Sequence, residues 1–137
     1  RKLMSYKIPL LGDSAKILVI DDESEILDII SEFLKKEGYI VMTESSSARG
    51  IEKAESLRPD LILLDIIMPV MDGYEVCKAL KNNESTKNIP VIFLTGKDVN
   101  EDRHKSFQVG GDMFIKKPFT GESLLGIVKI VLETLYM

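Results

Sequence analysis

The chain has one cysteine, Cys77, one histidine, His104, and no apolar run of the length a membrane-spanning helix needs. A single thiol excludes an internal disulfide and suits a reducing compartment. The sequence does not open on a positively charged, then apolar, leader with a small-residue cleavage site, and it carries no repeat and no low-complexity tract. Neither sign of charge dominates. The 18 Lys and Arg against 22 Asp and Glu give a formal net charge of −4, which offers no electrostatic case for nucleic acid or an anionic membrane as a direct partner. The expected location is cytoplasmic.

What is present fits one domain: 137 residues with a hydrophobic fraction of 45% suffice for a single core. Residues 1–15, with Pro9, Gly12 and no sustained period, read as a leader or linker, and residues 16–137 as the domain. From Lys16 onward, short apolar runs alternate with stretches of helical period. The runs are KILVI (16–20), YIVMT (39–43), LILLD (61–65), VIFLT (91–95) and MFIKK (113–117). Between the first two, Ile26, Ile29, Ile30, Phe33 and Leu34 mark an amphipathic helix that Gly38 stops. Ala48, Ile51, Ala54 and Leu57 mark a second helix, capped by a serine run and ended by Pro59. Tyr74, Cys77 and Leu80 indicate a third, residues 98–109 a weaker fourth, and Thr120 opens a fifth.

Strands apolar on both faces and separated by helices require a parallel sheet covered on both sides. The expected fold is therefore α/β, a doubly wound (βα)5 three-layer sandwich. Its ligand site should lie beyond the carboxyl ends of the strands, where the strand order reverses. Those ends carry Asp21-Asp22, Asp65, Thr95-Gly96 and Lys117-Pro118. Three carboxylates brought together repel one another, and a hard divalent cation relieves the repulsion; Mg²⁺ suits, because it takes one or two carboxylates, keeps several waters and leaves room for phosphate oxygens. With a hydroxyl from Thr95 and a point charge from Lys117, the set is suited to hold a phosphoryl group on Asp65, the nucleophile.

The motifs VIDDE, LILLDIIMPVMDG, FLTG and FIKKPF, in this order and spacing, resemble the receiver domains of two-component response regulators, the CheY-like group, over residues 16 to about 136. The resemblance implies a five-stranded parallel sheet of order 2-1-3-4-5, flavodoxin-like. It implies Asp65 as phosphoacceptor, and Asp21, Asp22, Asp65 and the backbone carbonyl of Ile67 as the Mg²⁺ ligands. Thr95 becomes the switch hydroxyl and Phe114 the aromatic switch position. Lys117 becomes the phosphate-contacting lysine, followed by a Lys117–Pro118 bond that is usually cis in the family. The implied donor is a histidine kinase or a phosphotransfer protein. The face formed by the fourth helix, fifth strand and fifth helix would change on phosphorylation and meet an output domain, a protein target or a second copy of the chain. Such a protein assists its own phosphorylation and dephosphorylation but is not otherwise an enzyme.

Taken singly, each feature has a plainer reading. An aspartate pair after a strand is commonly a turn or helix cap, KKP a solvated loop, Phe114 a fixed aromatic. Asp72-Gly73 reads as a turn in which Gly73 supplies a positive φ. His104 carries no neighbouring group that would make it catalytic, and Cys77 reads as a buried helix face. An aspartate-nucleophile phosphatase of the haloacid dehalogenase type also places its nucleophile after an apolar strand, but needs a second carboxylate two residues on, where this chain has Ile67. No G-x-G-x-x-G follows KILVI, which argues against a dinucleotide site. The chain closes at Met137, about where the fifth helix should end, so an output domain is not expected within it; a stand-alone receiver and a part of a longer regulator both remain open.

Overall fold

The computed structural model describes residues 15–96 and 108–135. Five strands, β1 (Lys16–Ile20), β2 (Ile40–Glu44), β3 (Leu61–Asp65), β4 (Val91–Thr95) and β5 (Met113–Lys116), form one parallel sheet of order β2-β1-β3-β4-β5. The described helices are α1 (Ser24–Lys36), α2 (Ser47–Leu57), α3 (Gly73–Lys81) and α4 (Gly121–Leu135). The weak helix expected over 98–109 falls almost wholly outside the described residues, as do His104, Lys97 and the leader up to Ser14.

Alternation along each strand sends side chains to two separate cores. Ile17, Val19, Leu61, Leu63, Ile92 and Leu94 pack with Leu27, Ile30 and Leu34 of α1 and with Leu124, Val128 and Leu132 of α4. Leu18, Ile20, Ile62, Leu64 and Phe93 pack on the other face with Ala54 of α2 and Tyr74, Val76, Cys77 and Leu80 of α3. Burying each Leu, Ile or Phe stabilises by about 1.5–3 kcal/mol, and β3 and β4 are buried at every residue. A slip of one residue would exchange the two faces of these strands, so their register rests on how the side chains fit the two cores and not on an apolar–polar alternation.

The signals for the four described helices hold. Gly38, at φ 93°, stops α1, and the Ser46 hydroxyl caps α2 by accepting from the Arg49 amide. Three strand boundaries move by one residue, the end of β2 among them, at Glu44 and not Thr43. β2 begins at Ile40, not Tyr39, because the Tyr39 amide is spent on the Leu34 carbonyl at the end of α1. β5 ends at Lys116, with the Lys117 amide giving a last bond to the Thr95 carbonyl of β4, 2.6 Å away. Gly73 also needs correction. It has no positive φ; it is the first residue of α3, after an Asp72 N-cap in a reciprocal capping box with Glu75. Its small size is required by closeness to β3, as a Cβ there would lie 2.8 Å from the Ile66 Cα.

Candidate functional site

β1 and β3 are neighbours although β2 lies between them in sequence, so the chain departs to opposite sides of the sheet at this point and leaves a crevice at the carboxyl edge. Asp21, Asp22 and Asp65 stand in that crevice, with one carboxylate oxygen of each within 4.8 Å of the others. Asp21 and Asp65 are buried and Asp22 is exposed, so the cluster has a wet side through which an ion or a phosphate could enter.

Asp21 serves two readings of the aspartate pair together. Its Oδ1 accepts from the Glu23 amide at 2.9 Å, the turn role. Its Oδ2 is left to accept from Lys117 Nζ at 2.9 Å. Its own amide donates to the Glu44 carbonyl, which joins the end of β1 to the end of β2. Lys117 reaches Asp65 Oδ1 at 3.2 Å as well, and so bridges the two buried carboxylates. The Lys117–Pro118 peptide is cis.

The electrostatics record an excess of negative charge. Burial, then the neighbouring Asp21 charge, push the Asp65 carboxyl up to about 7, although Lys117 opposes both. Burial pulls the Lys117 ammonium down, but its hydrogen bond to Asp21 and the charges of Asp65 and Asp21 outweigh this and hold it above its ordinary value. One cation among three converging carboxylates leaves the set short of positive charge. All the donors are hard oxygens, the chemistry that Mg²⁺ takes, so the residues fit that ion.

Thr95 ends β4 buried. The register pairs Phe93 with Phe114 and Thr95 with Lys116, so Thr95 and Phe114 share one face of the sheet on adjacent strands. Phe114 is half-buried against the core that holds Phe93 and Tyr74, whose rings stand 5.4 Å apart. The Ile67 side chain is 59% exposed and brings no acid to the site, which leaves the dehalogenase-type phosphatase reading without its general acid.

Two participants escaped the sequence reading. Glu23, the third acid of VIDDE, extends its Oε1 to 3.4 Å from Lys117 Nζ; three consecutive acids at a strand end were the available signal. Ser47, on α2, donates to the Met71 carbonyl at 2.7 Å and so touches the loop after Asp65; nothing in the sequence links residues so far apart.

The family model described as "Response regulator receiver domain" matches residues 17–129. Protein PilG of Pseudomonas aeruginosa is 40% identical over 118 residues, covering 86% of this chain and 87% of that protein. The chain spans about half the length of two transcriptional regulators that it also matches. Among solved structures, chemotaxis protein CheY4 of Vibrio cholerae superimposes with a TM-score of 0.83 at 34% identity, covering 86% of this chain and 98% of that one. The receiver domain of sensor histidine kinase PA1611 from Pseudomonas aeruginosa, with magnesium coordinated in its active-site cleft, superimposes with a TM-score of 0.81 at 28% identity, covering 88% and 98%.

Proposed function

This chain belongs to the response regulator receiver domain family of two-component signalling, and from that premise we propose that Asp65 accepts a phosphoryl group from a phosphohistidine of a histidine kinase or phosphotransfer protein. The observation that carries this reading is the Lys117 bridge between the buried Asp21 and Asp65 beside the exposed Asp22. In the transfer, an Asp65 carboxylate oxygen forms the new P–O bond as the P–N bond of the donor breaks, and the imidazole departs with the electron pair. Asp65 must be ionised to attack, and Lys117 favours that form against burial and Asp21. Lys117 is also the group that can follow the charge from the carboxylate onto a phosphoryl oxygen.

Asp21, Asp22, Asp65 and the Ile67 backbone carbonyl would hold Mg²⁺, which supplies charge neutralisation at the phosphoryl oxygens. The magnesium in the active-site cleft of the PA1611 receiver supports this assignment. The chain assists its own phosphorylation and dephosphorylation and turns over no separate substrate. Thr95 follows the phosphate, and Phe114 changes its packing in response. The readout is an output domain, a protein target or a second copy that meets the face of β5 and α4, where Met113 and Ile130 stand exposed. No described helix is long and apolar enough to cross a membrane, and a cytoplasmic site of action agrees with the kinase donor.

The test is incubation with acetyl phosphate and Mg²⁺, read by mass spectrometry. A single phosphoryl adduct, absent in Asp65→Asn, is expected. An adduct that survives the substitution sinks the assignment.

A further inference from the structure

The loop from Ile66 to Asp72 carries the carbonyl assigned to the metal, yet little of it is held by regular structure. The Ile66 amide donates to the Leu94 carbonyl at 3.1 Å, and the Gly73 amide returns to the Ile66 carbonyl at 2.7 Å, so both ends are tied. Between them the chain makes a tight three-residue turn, in which the Met71 amide donates to the Pro69 carbonyl at 2.8 Å across Val70. Val70 stands at φ 69°, a region that β-branched side chains avoid and that makes this kind of turn strained. Its side chain is fully exposed, so packing of Val70 itself does not hold the turn.

The restraint comes from another element. Ser47, the first residue of α2 and buried, donates its hydroxyl to the Met71 carbonyl at 2.7 Å and lies 3.8 Å from the Met68 sulfur. The Glu75 and Val76 amides hold Asp72 at the end of the loop, and Ser47 reaches further back, from a different helix. It grips Met71, the last residue of the strained turn, and Met68, buried beside it, is the residue immediately after the assigned carbonyl.

We propose that Ser47 is a positioning residue for the metal site, a latch from α2 that holds the loop so that the Ile67 carbonyl faces the carboxylates. This rests on the assignment of that carbonyl to Mg²⁺ above. Without the hydroxyl, the Met71 carbonyl loses its buried donor and the strained turn is free to relax, and the Ile67 peptide is then ordered only when the ion binds. The cost falls on Mg²⁺ affinity and not only on stability.

Calorimetric titration of the full chain with Mg²⁺ tests this. Ser47→Ala should weaken binding about three- to tenfold, the loss that one buried hydrogen bond represents. Ser46→Ala is the control: it removes the cap of the same helix without touching the loop, so it should lower the melting temperature and leave the Mg²⁺ Kd unchanged. Ser47→Cys, nearly isosteric but a weak donor, guards against a fold lost to Ser47→Ala and should fall between that variant and wild type. At a Mg²⁺ concentration near the wild-type Kd, the Ile67 carbonyl carbon should shift in the wild-type NMR spectrum and shift less in the Ser47 variants, the difference closing at saturation. Equal Kd values for wild type and both Ser47 variants, or equal weakening by Ser46→Ala, overturn the latch. A wild-type chain that binds no Mg²⁺ overturns the metal assignment and the latch with it; Mg²⁺ binding that leaves the Ile67 carbonyl unmoved overturns that ligand and the latch but not the carboxylate site.

Discussion

Gly73 stands so near Asp65 that a Cβ on it would lie 2.2 Å from the Asp65 carbonyl oxygen. The start of α3 is thereby packed directly on the backbone that carries the phosphoacceptor, and the Gly73 amide closes the loop by donating to Ile66. The obstacle is backbone on both sides, which cannot yield as a flexible side chain would.

Gly73→Ala should therefore destabilise by about 1–3 kcal/mol, the usual cost of overpacking, and should weaken Mg²⁺ binding as well, because the displaced atoms belong to Asp65 and Ile66. Chemical unfolding paired with Mg²⁺ titration checks both. A variant as stable as wild type would mean that α3 can move away without cost.

Asp65→Asn should stabilise the metal-free protein. The folded-state carboxyl titrates at about 7, above its unfolded value, so the folded state binds the proton more tightly. Stability from this group is complete below the unfolded value near pH ~4 and is lost as pH rises to 7. The gain from Asn should thus be small near pH 4, open between pH 4 and 7, and reach on the order of a few kcal/mol above 7. Melting curves in chelator across this range decide it. A gap that shrinks with rising pH would contradict the sign. Mg²⁺ should narrow the gap, because it stabilises only the protein that binds it.

Thr95→Ala should leave Asp65 able to accept a phosphoryl group and suppress the conformational response. With beryllofluoride and Mg²⁺ as a stable phosphate mimic, wild-type NMR shifts should extend from Thr95 through Phe114 to α4, and the variant's should not. Shifts confined to the loops around Asp65 in wild type would mean that the site fills without moving the face beyond it.

At the opposite edge of the sheet, Lys16 and Asp60 exchange bonds: the Lys16 amide donates to Asp60 Oδ2 and the Asp60 amide to the Lys16 carbonyl, both at 2.8 Å. Asp60→Ala should cost about 1–3 kcal/mol through the unpaired amide and leave Mg²⁺ affinity intact. Denaturant unfolding and calorimetry separate the two effects; a large fall in affinity would show that the far edge governs the site.

The sequence by itself determined the sheet and the chemistry of its edge. Runs such as LILLD and VIFLT are apolar at every position until the last, and such strands are stable only when helices cover both faces. Once that is granted, Asp21, Asp22, Asp65, Thr95 and Lys117 must share the carboxyl edge. Tertiary structure alone decided what these groups do to one another. The burial that pushes up Asp65, and the reach of Lys117 to Asp21, depend on distances between strands far apart in the chain, which no local pattern encodes. The role of Gly73 was misread for the same reason: a glycine after an aspartate looks like turn chemistry along the chain, whereas its cause is a carbonyl eight residues earlier that folding brings into contact. The Ser47 contact with Met71 joins two elements packed on one face of the sheet, and it exists only because the fold sets the start of α2 beside the loop after β3.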